Sequence, residues 1–159
     1  MPVAAPDATL PAILKRNWDR PTIKDSVDAL LNVPLFAGVS RRRLRKVAGL
    51  AEVRTFEPNS VVVQTGDKSD GLYVILSGRA RILGRARRHP LRAGAYFGEM
   101  GLIDGKPRSA TVVSVGELQT MRIPRAAFLR LLEQEPKIAT ELLTELTSRV
   151  REREKPTVA

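Results

Sequence analysis

The chain has no cysteine and only one histidine, His89. Without thiols there is no disulfide, no thiolate nucleophile and no thiolate metal site. One histidine in an arginine- and proline-rich turn builds neither a Ser-His-Asp triad nor a histidine metal cluster, so the expectation is no catalytic residue, no metal and no resident cofactor. No apolar run approaches the roughly 20 residues of a membrane-crossing helix, and no transmembrane segment is expected. The opening "MPVAAPDATLPAILKRNWDRP" places three prolines before Ile13 and lacks a basic stretch followed by a continuous apolar core, so it does not resemble a secretory signal. These absences point to a cytoplasmic location. Acidic residues are also scarce: 17 Asp and Glu face 27 Lys and Arg, a formal charge of +10. That balance suits nucleic acid, an anionic membrane surface, an acidic protein or a small anion, and it says nothing about fold.

What is present fits one main domain. A chain of 159 residues buries about two-thirds of its unfolded surface and makes a single core. Residues 1–24 are proline-punctuated and read as an extended or loosely packed arm, with a helical turn near Ala12 to Arg16 and Trp18 available to dock it. In "DSVDALLNVPLFAGVS", acidic and serine caps precede Val27, Leu30 and Leu31 on one helical side, and Pro34 and Gly38 end that helix. Ser40 caps a second short helix on which Leu44, Val47, Ala48 and Ala51 recur at helical spacing. Arg41, Arg42 and Arg43 then occupy its first turn, where the helix dipole disfavours cations.

From Val53 onward short β-rich runs alternate with turn residues: "EPNS", "TGDKSDG", "LSG", "RAGAYFG", "DGKP" and "SVGE" bound Val61 to Gln64, Leu72 to Leu76, Ala80 to Leu83 and Val112 to Val115. That spacing predicts an antiparallel sandwich or barrel. After Pro124 the helical period returns. Phe128, Leu131 and Leu132 share one side, Pro136 interrupts, and Ile138, Leu142, Leu146 and Val150 align on a final helix. Arg149 falls on that apolar stripe, either snorkelling at its edge or serving a site. Between Arg79 and Arg92 stand six arginines and no carboxylate, and "SRRRLRK" (Ser40 to Lys46) forms a second basic cluster. Each is either a solvated face or a binding surface.

One stretch carries chemistry: "FGEMGLIDGKPRSATV", Phe97 to Val112. Gly98 lets the backbone approach a ligand closely, and Glu99 to Ile103 suit one helical turn whose first N–H groups would face an anion. Arg108 brings a planar fork that pairs bidentately with a phosphate. Glu99 would repel a phosphate but accepts from a sugar hydroxyl, and Ser109 and Thr111 add hydroxyls beside Arg108. The stretch therefore describes a pocket for a ribose carrying one phosphate. An internal Glu99 to Arg108 salt bridge tying a loop is the alternative on spacing alone.

These residues resemble the phosphate-binding cassette of the cyclic nucleotide-binding domain family. The likeness rests on Phe97-Gly98-Glu99, Leu102, Gly105, Pro107-Arg108 and Ala110-Thr111-Val112. Upstream, "GDKSDGLYVILSGRARI" resembles a second family segment through Gly66, Asp67, Tyr73-Val74-Ile75 and Gly78. The resemblance runs from about Leu30 to Arg153. It implies a mainly β fold with flanking α-helices, an eight-stranded antiparallel β-roll with N-terminal helices and two C-terminal ones, as a domain over residues 25–155 before a tail at 156–159. It further implies that Arg108 holds a cyclic phosphate, Glu99 a ribose 2′-hydroxyl, and the backbones of Gly98, Met100 and Ser109 the rest of the cradle. Leu83 and Arg149 correspond to base contacts from a strand and from the last helix. Ser109 leans toward cAMP over cGMP, because threonine there favours guanine in parts of the family. The hairpin between Leu83 and Leu91 is short, as in bacterial channel domains of this kind. No helix-turn-helix or transmembrane region flanks the domain, so a stand-alone receptor that reports to an unknown effector protein is expected.

Overall fold

The computed structural model describes residues 21–84 and 90–154, with side chains at all of these except 149 and 152–154. The expected helical turn near Ala12 to Arg16, Trp18, the 156–159 tail, and Arg85, Arg87, Arg88 and His89 of the arginine run lie outside the described residues.

Helix α1 (Ile23–Leu31) begins at Thr22, upstream of the expected caps. The Thr22 hydroxyl accepts from the Asp25 amide while the Asp25 carboxylate accepts from the Thr22 amide, a reciprocal box satisfying two end donors. A 3₁₀ turn over Pro34–Phe36 follows, and α2 (Arg41–Leu50) starts at Ser40, whose side chain caps the Arg43 amide. The first-turn arginines of α2 find acceptors elsewhere. Arg41 pairs with Asp28 of α1 at 2.8 Å, and Arg43 pairs with Glu135 at 2.8 Å while donating to the Gln134 carbonyl. Gln134 ends α4 (Arg125–Gln134), so Arg43 meets the negative end of another helix dipole.

Six strands form among the described residues: β1 (Glu52–Phe56), β2 (Val61–Val63), β3 (Gly71–Ile82), β4 (Leu91–Arg92), β5 (Tyr96–Phe97) and β6 (Val112–Pro124). All pairings are antiparallel, in the order β1-β6-β3-β4, with β2 also on β6 and β5 also on β3. The count differs from eight because "LSG" and "SVGE" are not turns. Gly78 (φ 85°) lies inside β3 and Gly116 (φ 76°) inside β6, and both strands continue past them. The β3–β6 register shifts on each side of Ser77, which marks a bulge where two turns were expected. A side chain at Gly78 would strike the Glu117 carbonyl, so this bulge depends on glycine.

The apolar run "LYVIL" is continuous because β3 is buried on both faces. Leu72, Val74 and Leu76 join the core beneath the helices, together with Met121, Ile123, Phe128 and Leu142. Tyr73 and Ile75 point the other way into a smaller core with Phe97, Val112 and Leu118. That inner core backs the cleft described below. The chain closes with α3 (Glu99–Asp104), α4 and α5 (Pro136–Glu154); Pro136 is the first residue of α5, where its missing N–H costs nothing.

Candidate functional site

Strand β5 delivers Phe97, Gly98 turns the chain with φ 91°, and α3 begins at Glu99. Glu99 is 3% exposed and Arg108 5% exposed, so two charged side chains stand almost wholly out of water. The Arg108 guanidinium donates to the Gly98 carbonyl at 3.2 Å, the Gly71 carbonyl at 2.7 Å and the Asp70 carboxylate at 3.4 Å. These contacts use one Nη1 and both Nη2 hydrogens, leaving Nε–H and the second Nη1–H without a protein acceptor among the described residues. The guanidinium also lies over the Tyr73 ring at 5.5 Å, and that ring stacks on Phe97 with centroids 5.1 Å apart. Burial in this stack raises the Tyr73 phenol above its ordinary range, and the Asp70 charge adds to the shift. A side chain at Gly98 would collide with Arg108, so a glycine is required both by the backbone angle and by the arginine.

Distant segments hold the arginine's backbone. Its amide donates to the Asp67 carbonyl at 2.7 Å, and the Gly66 amide donates back to the Arg108 carbonyl at 2.9 Å. The "TGDKSDG" segment, separate in sequence, thus braces the backbone of the cassette at Arg108. Ser69 adds a hydroxyl bond to the Lys106 carbonyl at 2.8 Å. Outward from Arg108 the charges alternate: Asp70 faces Arg122 at 3.6 Å, Arg122 faces Glu52 at 3.4 Å, and Glu52 faces Arg54 at 3.0 Å.

The cassette lines one end of a solvent-open cleft. Gly98, Glu99, Met100, Arg108 and Ser109 make its polar end, and Val63, Ile82, Leu91, Tyr96 and Val112 make its apolar wall. Five of the seven expected site residues therefore come together. Leu83 does not join them: it is 43% exposed in the turn after β3, while its neighbour Ile82 lines the cleft. Arg149 belongs to α5, and its side chain is outside those described. Sequence reasoning missed Asp70 and Gly71, whose only sign was a turn signal, and Tyr96, which fell within the turn segment "RAGAYFG". The Tyr96 hydroxyl donates to Glu145 of α5, so a cleft residue touches the last helix. Arg125 at the start of α4 donates to the Leu102 carbonyl at 3.0 Å, a second tie between cassette and helices.

Fold and site thus define a β-sheet domain with a buried-arginine pocket. Residues 53–135 match the model of the cyclic nucleotide-binding domain, and the chain belongs to that family. It is 33% identical over 132 residues to the cAMP-dependent protein kinase regulatory subunit of Mucor circinelloides f. lusitanicus, covering 75% of this chain and 31% of that protein. With the Blastocladiella emersonii subunit it shares 33% over 109 residues, covering 65% of this chain and 27% of that one. The chain therefore spans about a third or less of the length of these curated relatives. Among solved structures, the regulatory domain of Toxoplasma gondii PKA with cAMP superposes with a TM-score of 0.68 at 25% identity, covering 80% of this chain and 50% of that one. The Thermus thermophilus catabolite activator protein gives a TM-score of 0.65 at 30% identity, covering 76% of this chain and 60% of that one.

Proposed function

We propose that the chain binds a 3′,5′-cyclic nucleotide, cAMP in preference to cGMP, and acts as a regulatory receptor rather than an enzyme. The carrying observation is Arg108, nearly buried yet lining a cleft that is polar at one end and apolar at the other, with two N–H donors that no described residue accepts. A buried guanidinium without a full counter-charge is costly, and a phosphate supplies that charge with bidentate geometry. Glu99 takes the ribose 2′-hydroxyl and the backbones of Gly98, Met100 and Ser109 complete the cradle. The base lies against the apolar wall, where contacts are shape-based and tolerant. Position 109 is where threonine favours guanine in parts of the family, so Ser109 is in keeping with adenine. The ligand named for the Toxoplasma gondii structure, cAMP, agrees with this reading.

Calorimetry with cAMP, cGMP and 5′-AMP tests it. cAMP should bind tightest and 5′-AMP, with its extra charge and open phosphate, weakest. Equal affinity for cAMP and 5′-AMP, or no binding of either cyclic nucleotide, would overturn it.

The output runs through α5. Ile138 and Leu142 are buried, Leu146 is half-buried, and Leu143 (65%) and Val150 are exposed, so among the described side chains packing is looser beyond Leu142. The Tyr96–Glu145 bond links the cleft to that weakly held part, and occupancy of the cleft shifts the helix between positions by differential affinity. An effector protein, in a cytoplasmic setting, reads the change. Amide exchange from Leu142 to Val150 should differ with and without cAMP, and identical protection would remove α5 from the mechanism.

A further inference from the structure

The run between Arg79 and Arg92 is not absorbed by the site. The other basic cluster largely is absorbed, since Arg41 and Arg43 of α2 are committed to Asp28 and to the end of α4. On β3, by contrast, Arg79 and Arg81 make no ion pair among the described residues. Register places their neighbours. Arg79 stands opposite Arg92 on β4 and opposite Val115 on β6, while Arg81 stands opposite Val113, which itself pairs with Val61. Directly paired residues and those two apart share a sheet face, so these six side chains lie on one outer face. Burial agrees: Val61 is 53% exposed and Val115 41% exposed, whereas the alternate positions Ala80 and Val112 are buried, as is Val63, which the register shift after Val61 pairs with Val112.

This face costs the fold something. Like charges directly opposite destabilise a sheet, and exposed valines gain nothing from water. Charges on an edge strand deter edge pairing, which accounts for Arg92 on β4. It does not account for Arg79 and Arg81, because β3 lies inside the sheet between β6 and β4. No carboxylate occurs in the paired stretches of these four strands; the first on this side is Glu117, beyond the Gly116 bend. The face is thus basic along β3 and β4 and apolar along β6 and β2, with Leu83 exposed beside the arginines.

We infer that this outer face docks on an anionic phospholipid surface. A bilayer interface offers both halves of the match at once, headgroup phosphates for arginines and a shallow apolar layer for Val61, Val115 and Leu83. Nucleic acid would use the arginines and leave the valines idle, with no aromatic platform for bases. An acidic peptide needs a groove or a free sheet edge, and this face is the middle of a sheet. The same strands turn Ile82, Leu91, Val112 and Val63 toward the cleft, so the docking face is the back of the pocket wall.

The test is sedimentation of the full chain with phosphatidylcholine vesicles, with and without phosphatidylserine. Phosphatidylserine vesicles should retain the protein and pure phosphatidylcholine should not. The Arg79→Gln/Arg81→Gln double variant should bind about tenfold or more weakly, the size expected for two interfacial charges. Arg45→Gln/Lys46→Gln removes the same charge from exposed positions on α2 and should leave retention unchanged. Arg79→Lys/Arg81→Lys should keep binding, which separates loss of charge from loss of fold, and Val61→Ser/Val115→Ser should weaken it. Equal losses in the two glutamine variants would reduce the effect to net charge and overturn the inference. So would retention that ignores phosphatidylserine, or capture of a single-stranded oligonucleotide through Arg79 and Arg81 in place of vesicles.

Discussion

The cassette around Arg108 and the helix α5 lie on either side of Tyr96 and are held in opposite ways. Arg108 is fixed from several directions: backbone bonds to Asp67 and Gly66, side-chain bonds to Gly71, Gly98 and Asp70, and the Tyr73 ring. Helix α5 is anchored by the buried Ile138 and Leu142 and the half-buried Leu146, and it accepts the Tyr96 hydroxyl at Glu145, with Leu143 and Val150 exposed. A rigid cradle loses little entropy on filling, and a weakly anchored helix moves at little cost. The comparison teaches that recognition and response need different local stability, and this domain supplies both within one core.

The comparison breaks first at Arg108. Arg108→Ala should cost about 2–5 kcal/mol of cyclic nucleotide binding, because a buried paired charge is left unmatched. Arg108→Lys should lose nearly as much, since a point charge cannot reproduce the fork. Parent-like calorimetry for both variants would show that the rigid region is not the binding region.

Within α5, Leu142→Ala should destabilise by about 2–5 kcal/mol in urea unfolding. Leu143→Ala, one residue on but exposed, should stay within about 0.5 kcal/mol. Similar losses would mean that Leu143 is packed after all. Tyr96→Phe is the finer probe. Removing one hydroxyl bond should weaken local stability by about 1 kcal/mol, seen as roughly fivefold faster amide exchange in α5 and little change in the cassette. Unchanged exchange would mean that the Tyr96 hydroxyl does not hold the helix.

The smallest effect belongs to Glu52, where the hydrogen bond from Arg54, followed by that from Arg122, keeps the carboxyl below its ordinary range. A depressed folded-state value contributes stability above the unfolded pKa, near about 4.3, and loses it as pH falls through the folded value. Glu52→Gln should therefore cost roughly 0.2–0.5 kcal/mol near neutrality, since the pair is half-exposed, with the deficit shrinking in acid. Ligand affinity should not change. A drop in affinity would extend the cradle outward along the Asp70, Arg122, Glu52 chain.

Much of this was legible in the residues. Ser40 capped α2 as expected, Phe128, Leu131, Ile138 and Leu142 proved buried, and Glu99 and Arg108 met at one pocket. The errors share a cause. "LSG" and "SVGE" were read as breaks because glycine with positive φ serves a turn and a bulge equally, and only strand pairing decides between them. Leu83, expected against the base, is exposed while Ile82 lines the cleft, since neighbouring positions around a strand end face opposite sides.

Periodicity, caps and the short spacing between Glu99 and Arg108 were determined by the sequence itself, because each depends on interactions within a few residues of chain. What surrounds Arg108 was decided only by the tertiary structure. Asp70 and Gly71 precede it by 38 and 37 positions, and strand pairing brings them to the guanidinium. The outer face of arginines and valines likewise exists only once four strands share a register. Local steric rules act along the chain, whereas a pocket or a sheet face is a property of residues the chain itself keeps far apart.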